Sequence, residues 1–185
     1  MKKLSLMDSG FLMAESAQEP CTSAGLLIFK LPKGARQNKF YRKILKDFGE
    51  MAAVTPPFNQ RLQLPPFNLG QPGWVMDKEF DLSNHIRHSA LPDPGTIEQL
   101  RNLVSRLHST LLDRTRPLWE AHLIEGIKGR RFALYFKIHH ACIDGVGSMN
   151  MIKAILSTSP DAEIAVTISD GFSEQDDTAG RSDKK

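Results

Sequence analysis

Arg131-Phe132-Ala133-Leu134-Tyr135-Phe136-Lys137-Ile138-His139-His140-Ala141-Cys142-Ile143-Asp144-Gly145 is the stretch on which the fold turns. Phe132, Leu134, Phe136 and Ile138 alternate with Ala133, Tyr135 and Lys137, which predicts a strand with two distinct faces. The strand runs straight into a histidine pair, and Gly145 and Gly147 then let the backbone turn sharply. Upstream, Leu118–Ile124 alternates in the same way. Trp119, Ala121 and Leu123 point to one side, and Leu118, Glu120, His122 and Ile124 to the other. The connector Glu125-Gly126-Ile127-Lys128-Gly129-Arg130 is rich in turn formers, so the two runs read as a β-hairpin. A helix with Met149, Ile152 and Leu156 on its buried side is expected to follow the glycines.

Working outward, Thr96 and Gln99 form a capping-box pattern. Ile97, Leu100, Val104, Leu107 and Leu111 then recur at helical spacing, predicting a helix that ends before Pro117. Residues 22–29 form a short apolar run that suits a strand. Phe40, Ile44, Phe48 and Met51 predict an amphipathic helix from Lys39 to Ala53. Residues 55–74, with five prolines, read as a loop over the surface or along a cleft, and His85–Ala90 as a short strand. The sum is an α/β chain, a layered α+β sandwich of sheet against helices.

The chain has 185 residues, 41% hydrophobic and 24% charged, enough to bury a core. Its net charge of +3 is too slight to indicate nucleic acid, but the charge is unevenly placed. From Pro160 onward there are seven acids and three bases, which reads as a polar acidic tail. From Lys30 to Lys46 there are seven Lys or Arg and no acid. That basic stretch suits anionic lipid, the phosphates of a nucleotide-bearing substrate, or plain solvent. Two cysteines do not make a disulfide framework, and no apolar run nears the roughly 20 residues of a membrane span. The charges among the first eight residues argue against a secretory leader. The expected setting is cytoplasmic, with peripheral contact to membrane or lipid inclusions.

His139 and His140 are adjacent on an extended chain, so they face opposite sides and cannot easily share one ion or one substrate. One is expected to enter a working cleft while the other supports the structure. A neutral imidazole at a strand end suits proton abstraction from an alcohol, since free histidine titrates near neutrality. The metal reading needs three or four convergent ligands, and His85, His88, His108 and His122 form no helical His-x-x-x-His pair. A serine-hydrolase reading lacks a Gly-x-Ser-x-Gly elbow, and Cys142 reads as a small packing residue.

His139-His140-Ala141-Cys142-Ile143-Asp144-Gly145 resembles the His-His-x-x-x-Asp-Gly motif of the CoA-dependent acyltransferase superfamily. Pro117-Leu118-Trp119-Glu120 narrows the resemblance to the bacterial wax ester synthase/acyl-CoA:diacylglycerol acyltransferase family. Leu4-Ser5-Leu6-Met7-Asp8 with Phe11-Leu12 and Glu15 is similar to that family's start. Phe80-Asp81-Leu82, His85, Leu107-His108-Ser109 and Leu112-Asp113-Arg114 match in order. Cys21-Thr22 departs from it, standing where the family often has Met-His.

The resemblance implies acyl transfer from a fatty acyl-CoA to a long-chain alcohol or a diacylglycerol, with no resident cofactor and no metal. It makes His140 the general base and His139, Asp144 and Gly145 its supporting motif, with Asp144 as a structural acid. Pro117, Leu118 and Trp119 would shape the fold, though packing and function weigh about equally for Trp119. Family members have two similar subdomains with the tunnel between them, related in fold to chloramphenicol acetyltransferase. Residues 1–159 are then expected to be the N-terminal subdomain and 160–185 a flexible linker or tail. The expected partner is a C-terminal half carrying an Asn-Asp-Val-Val-Leu-Ala segment, without which the chain would be inactive. The alternative is a non-catalytic lipid-binding or interaction fragment with His140 as a passenger.

Overall fold

A computed structural model describes residues 2–65, 70–143, 147, 149 and 156. The chain divides into two compact units, Met1–Cys142 and Ile143–Lys185, and all the elements below belong to the first. In order they are β1 (Lys2–Lys3), α1 (Leu6–Ala14), β2 (Thr22–Lys30), α2 (Gln37–Val54), β3 (Gln60–Gln63), β4 (Gly73–Met76), β5 (Ile86–Ala90), α3 (Ile97–Ser109), β6 (Trp119–Ile127) and β7 (Arg131–His139). Mixed α/β architecture is what the sequence predicts.

The main sheet has the order β2-β7-β6-β5. β6 and β7 form the expected antiparallel hairpin, with Trp119 opposite Ile138 and Leu123 opposite Leu134. β6 runs past Ile124 to Ile127 through a bulge, so part of the expected connector is strand. β2 pairs antiparallel with the outer side of β7 over nine residues, from Thr22 opposite His139 to Lys30 opposite Arg131. β5 pairs parallel with β6, and α3 makes the crossover between them.

The strand alternation sorts side chains between two helices. Tyr41, Ile44 and Leu45 of α2 pack with Leu123, Phe132 and Leu134. Leu100, Leu103, Val104 and Leu107 of α3 pack with Ile124, Ala133 and Tyr135. The expected stripe on α3 holds in its middle, but Ile97 and Leu111 are exposed and the helix stops at Ser109. The capping box at its start is present, with Thr96 and Gln99 each bonding the other's backbone N–H.

Residues 55–74 are not only a loop. β3 and β4 pair there, and β4 also takes β1 from the far N-terminus, making a second sheet in the order β1-β4-β3. Such short strands carry too little periodicity to be read from sequence, and their partner lies some 70 residues away in the chain. Helix α1 is another element beyond the sequence reading, started by a capping box between Ser5 and Asp8. Leu4, Leu12, Leu62, Trp74, Leu112 and Leu118 then form one apolar cluster with Ala141 beside the end of β7.

Of the helix expected after the histidines, Gly147, Met149 and Leu156 are described. Gly147 and Met149 are helical, but Met149 and Leu156 are exposed rather than buried. Asp144, Gly145, Ile152 and the acidic tail lie outside the described residues. Among the described residues no helix is long and apolar enough to cross a membrane.

Candidate active site at the end of the histidine strand

Three backbone hydrogen bonds fix the end of β7. His139 N–H donates to the Leu118 carbonyl (3.0 Å), His140 N–H to the Cys21 carbonyl (2.9 Å) and Cys142 N–H to the His139 carbonyl (2.9 Å). The ladder holds His139 extended, His140 opens the turn that follows, and the two rings meet different groups.

His139 is fully buried on the α3 side. Its Nδ1 accepts the Ala141 N–H at 3.0 Å, which leaves Nε2 as the protonated nitrogen of a neutral ring. Nε2 lies 3.4 Å from a carboxylate oxygen of Glu15, itself buried at the C-terminus of α1. The same carboxylate accepts the Cys21 N–H at 3.2 Å and two N–H groups of Arg114, from Nε at 3.2 Å and Nη2 at 3.0 Å. Arg114 also donates to the Leu12 carbonyl at 2.6 Å. Burial pulls the His139 pKa down, and Arg114 and His140 push the same way against the attraction of Glu15. The ring is thus a neutral spacer clasped between α1 and β7.

His140 is half-buried. Phe11 of α1 stacks on it with centroids 5.2 Å apart and planes 28° apart. The Ser23 hydroxyl lies 3.3 Å from Nδ1 and 3.4 Å from Nε2. One short helix therefore serves both histidines, with Phe11 against one and Glu15 against the other. This is a partly open imidazole on a braced backbone, able to exchange a proton with a hydroxyl brought to it.

Leu118, fully buried, offers its carbonyl to His139, so the Pro117-Leu118-Trp119 segment registers the histidine strand. Trp119 is buried, with its indole N–H donating to the Phe58 carbonyl at 2.7 Å. Its own carbonyl takes Nδ1–H of His85 at 2.9 Å, and the His85 ring stacks between Trp119 and Phe80. Burial lowers the pKa of His85 and keeps it neutral. Cys142 packs against the cluster that includes Leu118 and Ala141, and desolvation pushes its thiol pKa up, far from a reactive thiolate.

Sequence reasoning placed His139 and His140 on opposite faces but not Ser23, Phe11, Glu15 or Arg114 around them. No spacing rule joins positions 15, 23, 114 and 139. The signal was the mere presence of Glu15 and Leu112-Asp113-Arg114 among the matching motifs. Lys137 was also read only as a face marker. It is fully buried, donates to the Leu107 and Thr110 carbonyls at 2.7 and 2.6 Å, and pairs with Glu120 at 2.9 Å. Among the described residues, no group of three or more His, Cys, Asp or Glu gathers where it could hold a metal ion.

Residues 4–185 match the family model for the wax ester synthase/diacylglycerol acyltransferase catalytic domain. The chain is 44% identical over 160 residues to the O-acyltransferase WSD of Acinetobacter baylyi, an alignment covering 85% of this chain and 33% of that protein. It is 40% identical over 158 residues to a probable diacylglycerol O-acyltransferase of Mycobacterium tuberculosis, covering 83% of this chain and 34% of the relative. Thus it spans about a third of the length of the curated relatives it matches. Among solved structures, the wax ester synthase/diacylglycerol acyltransferase of Marinobacter aquaeolei VT8 is similar, with TM-score 0.79 and 45% identity over 88% of this chain and 39% of that one. The first condensation domain of the calcium-dependent antibiotic synthetase shares the fold at 16% identity and TM-score 0.62, over 81% of this chain and 36% of that domain. Sequence match and structural likeness agree: the chain belongs to the wax ester synthase/diacylglycerol acyltransferase family.

Proposed function

We propose that the chain provides the base-bearing part of an O-acyltransferase that moves a fatty acyl group from acyl-CoA to a long-chain alcohol or a diacylglycerol. The observation that carries the reading is the split between two adjacent histidines. His139 is buried and clasped by Glu15 and Arg114, while His140 stays half-open beside Ser23. His140 takes the proton of the acceptor hydroxyl as its oxygen attacks the thioester carbonyl. The tetrahedral intermediate collapses with cleavage of the C–S bond, and the proton passes from His140 to the CoA thiolate. No resident cofactor enters these steps, since acyl-CoA is consumed as co-substrate.

The relatives named above are more than twice as long, and the proposal assigns the thioester-placing and oxyanion-stabilising groups to a C-terminal half of that kind. Without such donors, transfer loses about 10²–10³-fold per group. Working at the cytoplasmic face, such an enzyme meets water-insoluble acceptors by peripheral contact with lipid.

The test is His140→Ala in the protein carrying both halves, assayed for transfer from palmitoyl-CoA to hexadecanol and to a diacylglycerol. Turnover should fall by about 10²–10⁴-fold with the circular dichroism spectrum unchanged. Near-normal turnover would sink the assignment.

A further inference from the structure

The pairing of β2 with β7 joins two basic segments that lie about 100 residues apart in sequence. Lys30 stands directly opposite Arg131, and Leu31 N–H donates to the Arg130 carbonyl at 2.8 Å. The β6–β7 turn therefore lies beside the segment leading into α2. Lys30, Lys33 and Arg36 are exposed on one side of this junction, and Lys128 and Arg130 on the other. Arg130 is also close enough to α2 to act electrostatically on Tyr41. Among the described residues, none of these five cations has a carboxylate at ion-pair distance.

We infer that this end of the main sheet is a docking surface for anionic lipid, built jointly by the β2–α2 segment and the β6–β7 turn. Like charges facing each other across paired strands are unfavourable, and a polyanionic surface would relieve that repulsion. The one acid nearby, Glu125, lines an open recess of about 710 Å³ with Arg36, Lys39 and Arg42. It is already engaged by Gln37 at 2.8 Å and by His88 at 3.5 Å. Farther along α2, Lys43 and Lys46 form ion pairs with Asp47 and Glu50. The docking surface is thus narrower than the Lys30–Lys46 stretch in one direction and extends to the hairpin turn in the other.

The cations are spread over two segments rather than converging on one pocket, which suits many headgroups better than a single free phosphate. The surface also lies at the opposite end of β7 from His139, about 27 Å away at some 3.3 Å per residue, so it is separate from the candidate active site. The choice of lipid among polyanions rests on the acyltransferase reading, whose acceptors partition into lipid.

The experiment is sedimentation of the purified protein with phosphatidylcholine vesicles, with and without phosphatidylglycerol. Lys128→Gln with Arg130→Asn is the main variant, because asparagine tolerates the positive φ of 57° at position 130. Each cation should contribute about fivefold, so this pair should weaken binding to the anionic vesicles roughly 25-fold. Lys43→Gln with Lys46→Gln should change it less than about twofold. Melting temperatures verify that each variant is folded. Unchanged binding by the hairpin variant, or equal binding to vesicles without phosphatidylglycerol, overturns the proposal. So does release from the vesicles by CoA at concentrations where chloride has no effect, which would give the surface to nucleotide phosphates. The His140→Ala variant should bind vesicles like the wild type. Lost binding in the hairpin variant with no acyl transfer by the unmutated protein carrying both halves would leave this surface standing and sink the acyltransferase reading.

Discussion

The two faces of the main sheet are made by the same strands and could hardly differ more. Toward α2, Trp119 meets Phe58 (5.4 Å), Phe48 (5.8 Å) and Phe136 (6.1 Å), and its single polar hydrogen goes to a backbone carbonyl. Toward α3, the next residues in line are Glu120, His122, Tyr135 and Lys137, all largely buried. There Lys137 neutralises Glu120 and also caps the last turn of α3 through two carbonyls. The Tyr135 hydroxyl lies 3.1 Å from His108, and burial aided by Glu120 pushes its pKa up, so it stays protonated. One face is stable through area and ring geometry, the other through the ion pair and hydrogen bonds that Lys137 makes within it. The histidines stand where the same strand ends. His139 falls on the polar face, where Glu15 and Arg114 hold it, and His140 opens the turn beyond it.

This contrast can be broken from either side. Trp119→Ala should give the largest loss, about 3–5 kcal/mol by urea unfolding, because it empties the aromatic face at its centre. A loss below about 1 kcal/mol would mean that the face is far softer than its ring contacts imply. Lys137→Met should cost about 3 kcal/mol, since it keeps the volume but strands the Glu120 charge and two helix carbonyls. Adding Glu120→Gln should recover part of that loss, and a double-mutant cycle should show coupling above about 1 kcal/mol. Strict additivity would dissolve the polar face as a unit.

Glu15→Gln tests the clasp where the polar face reaches the histidines. It keeps the shape but removes the charge that Arg114 and His139 face, and should cost about 1–2 kcal/mol of stability. If the clasp positions His140, transfer by the protein carrying both halves should also fall, with KM for acyl-CoA little changed. A fall in stability with turnover intact would confine Glu15 to folding.

The smallest effect is on pH. Burial depresses the pKa of both His85 and His139 below the ordinary value of 6.5. Between the folded values and 6.5, the unfolded chain binds more protons than the folded one, so stability rises with pH there. It should be fully present above about pH 6.5 and be lost progressively as the pH falls below that. Glu120 acts lower. Burial opposes its ionisation, but the neighbouring His122 and Lys137 outweigh it and depress the pKa, so its contribution is lost only at more acidic pH. Melting temperatures from pH 8 to 4 should therefore begin to drop before the carboxylates titrate. A flat profile down to pH 5 would contradict the burial of the two rings.

By itself the sequence determined what depends on near neighbours. Period-two alternation in 118–124 and 131–139 specified the hairpin, because strand geometry sends successive side chains to opposite faces. The 3.6-residue stripe and capping box specified α3, and the spacing of Phe40, Ile44 and Phe48 specified α2. Ordered motifs were sufficient to assign the family. Only the tertiary structure decided what each polar residue meets. The alternation assigns Lys137 a face and nothing more, whereas α3 crosses over it and leaves two carbonyls needing a donor. The same crossover ends the helix at Ser109, although the apolar spacing continued to Leu111. Glu15, Arg114 and His139 converge from three elements, and β1 finds β4 across the length of the N-terminal region. Local periodicity encodes which way a side chain points, but its partner is set by chain closure over tens of residues, which no local pattern records.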